Sequence, residues 1–119
     1  MTTLEIRETL KELKGNGTLY KRVINDIISE SNNYDGSLQE RLNGYLKDVT
    51  YGGCVSGIVS MMVYYDDTVK FYNRYKQQIE DLALEFEFSI EKDDLRMYKN
   101  NMAWFAYETI ANDVSTSIE

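Results

Sequence analysis

The chain reads as an all-α protein: a compact single-domain bundle of five or six helices with a short central Gly-rich helix. Three observations predict this. Apolar residues recur at intervals of three and four along most of the 119 residues, the period of a helix face rather than of a strand. Two capping boxes, Thr2-x-x-Glu5 and Ser37-x-x-Glu40, mark helix starts. Proline is absent altogether, which suits long helices. A length of 119 residues fits one domain. A composition of 43% hydrophobic and 13% aromatic residues supports a packed core rather than disorder.

After the Thr2 box, Ile6, Leu10 and Leu13 form one helix face. Gly15-Asn16-Gly17 stops that helix, since glycine takes the left-handed conformation of a helix end. Thr18 caps a second helix with Tyr20, Val23, Ile24, Ile27 and Ile28 on its face. Its β-branched residues leave a strand open, although period-2 alternation is missing. Asn32–Gly36 is a turn by composition. The Ser37 box starts a third helix carrying Leu38, Leu42, Tyr45, Leu46 and Val49. Gly52-Gly53 interrupts it, and a short helix through Ile58 and Met62 follows.

Asp66-Asp67-Thr68 supplies the next N-cap, with acids favourable at the positive end of the helix dipole. The long helix expected there has a seam at Tyr72, Tyr75, Ile79, Leu82 and Phe86. Alternation in Phe86–Ile90 leaves its end open. Asp93 and Asp94 open a last helix with Leu95, Tyr98, Met102, Phe105, Ala106 and Ile110 on a broad apolar face, and Ser115–Glu119 is expected to fray. Residues 1–36 thus form an N-terminal helical pair and residues 37–119 the remaining core.

Net charge is −7 and unevenly placed. Residues 1–50 carry 7 basic and 8 acidic side chains, whereas residues 51–119 carry 6 and 12. Such a chain repels nucleic acid, whose binding depends on Lys and Arg neutralising phosphates, and is attracted to basic protein surfaces. No apolar run is long enough for a bilayer. The N-terminus has no signal-peptide core, and a single cysteine fits a reducing compartment. A cytoplasmic protein is expected.

The absence of histidine removes Ser-His-Asp and Cys-His catalysis and His-containing metal sites. Cys54 sits near a helix start, where a thiol could be activated. It is more simply a small buried hydrophobe. Gly52-Gly53 lacks the further residues of a phosphate-binding loop. Gly53, Gly57 and Ser60 have small-x-x-x-small character, which permits either a close intrachain helix crossing or a homodimer contact. No metal, cofactor or catalytic group is expected. A divalent-cation site assembled from distant carboxylates stays open, but no segment has calcium-loop spacing.

Between Glu80 and Asp94 the chain holds Glu80, Asp81, Glu85, Glu87, Glu91, Asp93 and Asp94 against the single Lys92. This is either a solvated helix face and turn or an acidic ridge that docks on a basic surface. Trp104 points away from Met102 and Phe105, so it belongs to a second core layer or is an exposed anchor.

Three blocks carry a resemblance. They are Gly44-Tyr45-Leu46-Lys47-Asp48-Val49 with Gly53-Cys54-Val55-Ser56-Gly57-Ile58-Val59, then Tyr64-Tyr65-Asp66-Asp67-Thr68-Val69-Lys70-Phe71-Tyr72, then Asn100-Asn101-Met102-Ala103-Trp104-Phe105-Ala106-Tyr107-Glu108. Together they resemble a family of small bacteriophage- and plasmid-encoded proteins known as a domain of unknown function. The resemblance implies a mobile-element accessory protein and transfers no catalytic residue. It suggests an inhibitor of host defence of the anti-CRISPR kind, acting in the bacterial cytoplasm on a host protein or ribonucleoprotein with a basic surface, without direct contact to nucleic acid or membrane. The alternative is a structural or regulatory homodimer with no inhibitory role.

Overall fold

The structure is a computed structural model that describes residues 1–50 and 65–119. Those residues form six helices and no strand: α1 (Thr3–Lys14), α2 (Thr18–Ser31), α3 (Leu38–Thr50), α4 (Tyr65–Arg74), α5 (Lys76–Glu85) and α6 (Leu95–Ile118). The all-α class is as expected. The Gly-rich helix, Cys54 and the contact read for Gly53, Gly57 and Ser60 lie outside the described residues.

Helix α6 is the axis of the fold. Tyr98, Met102, Ala103, Ala106, Tyr107, Ile110, Ala111, Val114 and Ile118 are all buried. They cover more than one face of the helix, as a helix sunk in a core requires. All five other helices pack against it. Its three buried alanines leave room for neighbouring backbones to approach. The expected fraying at Ser115–Glu119 does not occur through Ile118. That side chain is 0% exposed, and its carbonyl accepts from Gln39 Nε2 at 3.1 Å. Burial of one isoleucine is worth about 1.5–3 kcal/mol, enough to hold a terminal turn.

The N-terminal elements follow their sequence signals closely. Thr2 caps α1 by accepting from the Glu5 amide at 3.2 Å, and Ile6 and Leu10 are buried. Ser37 and Glu40 exchange the two bonds of a capping box, each 3.2 Å. Donation from the Ser37 amide, then from its hydroxyl, holds the Glu40 carboxyl below its usual range. Between α2 and α3 the chain folds back so that the Tyr34 ring lies on Gly44, where a Cβ would be only 2.7 Å from the ring. Tyr34 then donates to Asp48.

Two details of the α1–α2 turn differ from expectation. Gly15 is right-handed (φ −66°) and Gly17 takes the positive φ of 104°. Thr18 is the first residue of α2 rather than its cap. The cap comes from Gln78 of α5, which accepts from the Leu19 amide at 2.8 Å and donates to Thr18 Oγ1 at 2.7 Å. A Cβ on Gly17 would sit 3.1 Å from Gln78 Oε1, so both backbone angle and close approach require glycine there.

The expected long helix after Asp66 is broken. Asp66 and Asp67 lie in the first turn of α4, not ahead of it. Tyr75 (φ −115°, ψ 24°) separates α4 from α5. The break aims Ile79, Leu82 and Ala83 at the core while Phe71 and Tyr72 stay buried on α4. Buried Thr68 ties α4 to α6 by donating to Asn100 Oδ1 at 2.7 Å. The last seam residue, Phe86, is 56% exposed because α5 ends at Glu85. There Phe88 N bonds to Ala83 O (2.8 Å) and Glu87 N to Leu84 O (3.2 Å). This is a Schellman ending with Glu87 in the left-handed position (φ 53°). Leu95, expected on the apolar face, is 59% exposed because it opens α6 at the rim of the bundle.

In the core the Tyr45 and Tyr107 hydroxyls meet at 2.6 Å. Burial pushes both phenols well above their usual range. A raised folded-state value stabilises the fold fully below the ordinary tyrosine range near pH ~10 and loses that contribution above it. Denaturant titrations across alkaline pH are therefore expected to show steeper loss of stability in the parent chain than in Tyr45→Phe/Tyr107→Phe. Gln78→Ala should cost ~1 kcal/mol in urea unfolding. In a double-mutant cycle, Thr18→Ala should add less in that background than in the parent.

Candidate functional site

A cleft of about 500 Å³ lies where the α1–α2 turn, α2, α5 and α6 meet. Residues four apart on a helix share a face, so α5 points Asp81 and Glu85 into it. Asp113 of α6 faces them, with Asn16, Tyr20 and Gln78 completing the polar wall. A second cleft of about 450 Å³ shares Tyr20, Glu85 and Asp113 and runs on to Phe86, Asn112 and Thr116. No lysine or arginine lines either cleft. The Tyr20 phenol is pushed up by burial first, then by the Asp113 and Glu85 carboxylates. The groove is thus a concave acidic surface with one tyrosine at its centre, suited to a cationic side chain from a partner.

The seven acids of the Glu80–Asp94 run do not share one face. Glu80 turns to the other side of α5, where its Oε1 accepts from Tyr72 at 2.6 Å and Tyr98 at 3.4 Å. Lys76, Lys92 and Lys99 line the cleft beside it. The Lys92 ammonium sits 5.0 Å from the centre of the Tyr98 ring, and Lys99 lies 5.9 Å from that of Tyr72. Burial, then the bond to Glu80 and its charge, raises the Tyr72 phenol. Glu80 is therefore a tie between α4, α5 and α6.

Glu87 occupies the left-handed turn. Glu91, Asp93 and Asp94 gather beside Ile90 and Met97, and Asp94 Oδ1 also caps α6 by accepting from Met97 N at 3.1 Å. Trp104 is half-buried and packs against the core. Asp113 escaped the sequence reading because it lies on a helix with little polar–apolar contrast. Exposed Leu84 and Met97 escaped because they sit beside buried periodic positions and carry no signal of their own.

Among the described residues no group of three or more His, Cys, Asp or Glu is placed to hold a metal ion. No described helix is long and apolar enough to cross a membrane. A family model described as a domain of unknown function, DUF7222, matches residues 16–119, that is α2 through α6. No curated protein and no solved structure matches the chain.

Replacing Glu80 by Gln removes a charge but not the burial of Tyr72. Tyrosinate absorbance titration of Glu80→Gln should show one phenol ionising at lower pH than in the parent, and a Tyr72→Phe background should abolish that difference. The same substitution keeps an acceptor oxygen for Tyr72 but removes its charge, and should cost ~1 kcal/mol of stability, the difference between a charge-assisted and a neutral hydrogen bond.

Proposed function

The chain belongs to the DUF7222 family, and from that premise we propose a non-catalytic binding protein whose acidic groove engages a basic surface of a partner protein or ribonucleoprotein. The carrying observation is the groove itself. Asp81, Glu85 and Asp113 converge on a cleft of about 500 Å³ that, among the described residues, no lysine or arginine lines. A cationic partner residue there would exchange water for carboxylates that α5 and α6 already bring to one cleft.

Within that reading, the partner we propose is a host nucleic-acid-targeting complex, and the chain a mobile-element inhibitor of the anti-CRISPR kind. Two things support it. Complexes that hold nucleic acid expose basic grooves, and an acidic protein competes for such a groove without catalysis. The three sequence blocks point to mobile elements by resemblance. The protein would act in the cytoplasm of the bacterial host.

The test uses purified host effector complexes, a pull-down and a nucleic-acid cleavage assay. The parent chain should bind one complex and suppress its cleavage, with affinity falling as salt rises. Asp81→Lys/Glu85→Lys should weaken binding by about tenfold or more with unchanged circular dichroism. Full binding by the reversed variant sinks the groove as the contact surface.

A further inference from the structure

A second surface lies at the junction of α5 and α6. The left-handed turn at Glu87 carries the chain away from α5. Phe88 then stacks flat on Phe105, with ring centres 4.1 Å apart and planes 1° from parallel. Phe88 and Ile90 both pack against the core, which fastens this irregular segment to α6. Outside it is a cleft of about 290 Å³ with an apolar wall of Ala83, Leu84, Phe88, Ile90 and Met102 and with Glu80 and Lys92 as its charged members. Ile90 also forms the wall of an adjoining cleft of about 380 Å³. There its companions are Met97 and the carboxylates Glu91, Asp93 and Asp94. Ile90 is the wall shared by the two clefts, so an apolar cleft and an acidic one adjoin there.

Leu84 is 78% exposed and Met97 46%. Large exposed apolar side chains at adjoining clefts, with polar residues beside them, mark an interaction surface. Neither Glu91 nor Asp93 has an ion-pair partner among the described residues. Lys92, the lone cation of the run, holds its ammonium over Tyr98.

We infer that these two adjoining clefts serve as one groove that docks a basic amphipathic helix of a partner protein. One of the helix's apolar side chains enters the Leu84–Ile90–Met102 end, and a lysine or arginine one turn away meets Glu91 and Asp93. Helix-in-groove recognition reads such a partner through anchors three or four residues apart. Charge complementarity selects this occupant. An anionic membrane surface or a nucleic acid would be repelled by the acids. A second copy would bring another chain of net charge −7 against these acids. The inference rests on the reading that the chain acts by binding a basic partner, and it names the chemistry of that partner's docking element.

The test measures fluorescence anisotropy of a labelled synthetic helix with leucines at i, i+3, i+4 and i+7 and lysines elsewhere, titrated with the full chain. Two control peptides are a scrambled version of equal charge and a version with glutamate in place of lysine. The amphipathic basic helix should bind, the scrambled one about tenfold more weakly, and the glutamate one not at all. Leu84→Ser, a surface change that leaves the fold intact by circular dichroism, and Glu91→Lys/Asp93→Lys should each weaken binding about tenfold. Amide shifts on binding should centre on Ser89, Ile90 and Met97.

Equal binding of the scrambled peptide overturns the inference, because charge alone then suffices. So does a lack of effect of both variants. If Asp81→Lys/Glu85→Lys abolishes peptide binding and Leu84→Ser does not, this groove is wrong while the acidic-groove reading stands. If the peptide binds here but the chain inhibits no effector complex, the inference stands and the inhibitory reading falls. A dimer in sedimentation that Leu84→Ser dissolves assigns the groove to a second copy and overturns the inference.

Discussion

Everything in this fold depends on burying α6. A 24-residue helix with apolar residues spread over so much of its circumference has no stable exposed state, so the other five helices must surround it. That constraint explains features that look unrelated. Alanines at 103, 106 and 111 are fully buried because neighbouring helices pass close there. Tyr107 meets Tyr45 in the interior because a buried hydroxyl needs a partner. Even the last turn is held, since Ile118 has a place in the core. Hydrophobic burial supplies the drive, and the polar ties at Thr68–Asn100 and Gln39–Ile118 fix how the surrounding helices are set.

Local signals in the sequence were legible wherever their physics is local. Thr2, Ser37 and Asp94 each bond an amide within three residues, so spacing alone identified them. The faces of α1, α2 and α3 could be read because each has one buried side and one wet side. Reading failed where tertiary contacts decide. The break at Tyr75 has no proline or glycine to announce it. Gly17 rather than Gly15 is left-handed because Gln78 approaches from a distant helix. A cap supplied by another element leaves no trace at the position it caps.

The candidate site was legible by composition and illegible by geometry. The density of acids from Glu80 to Asp94 was plain in the sequence. Their separation was not, because it depends on a helix, a left-handed turn and a second helix start in succession. Glu80 and Asp81 are neighbours in the chain, and the roughly 100° between consecutive helical residues sends them into different clefts. The first joins two tyrosine hydroxyls, and the second faces open solvent in a groove completed by Asp113. A charge run therefore resolves into a structural tie, an acidic cleft and the rim of an apolar groove. Proximity along the chain says little about which of these a given carboxylate serves.

The Gln78 clasp also bears on the order in which the protein assembles. It joins residues 59 and 60 positions apart, so the first turn of α2 is completed only after a long segment of chain has closed on itself. Loop closure of that length carries an entropic cost that must precede the contact. The Leu19 amide, although at the start of a helix near the chain's end, is consequently tied to the docking of α5. In hydrogen exchange it belongs with the cooperative core and not with the fraying ends that helix termini usually represent.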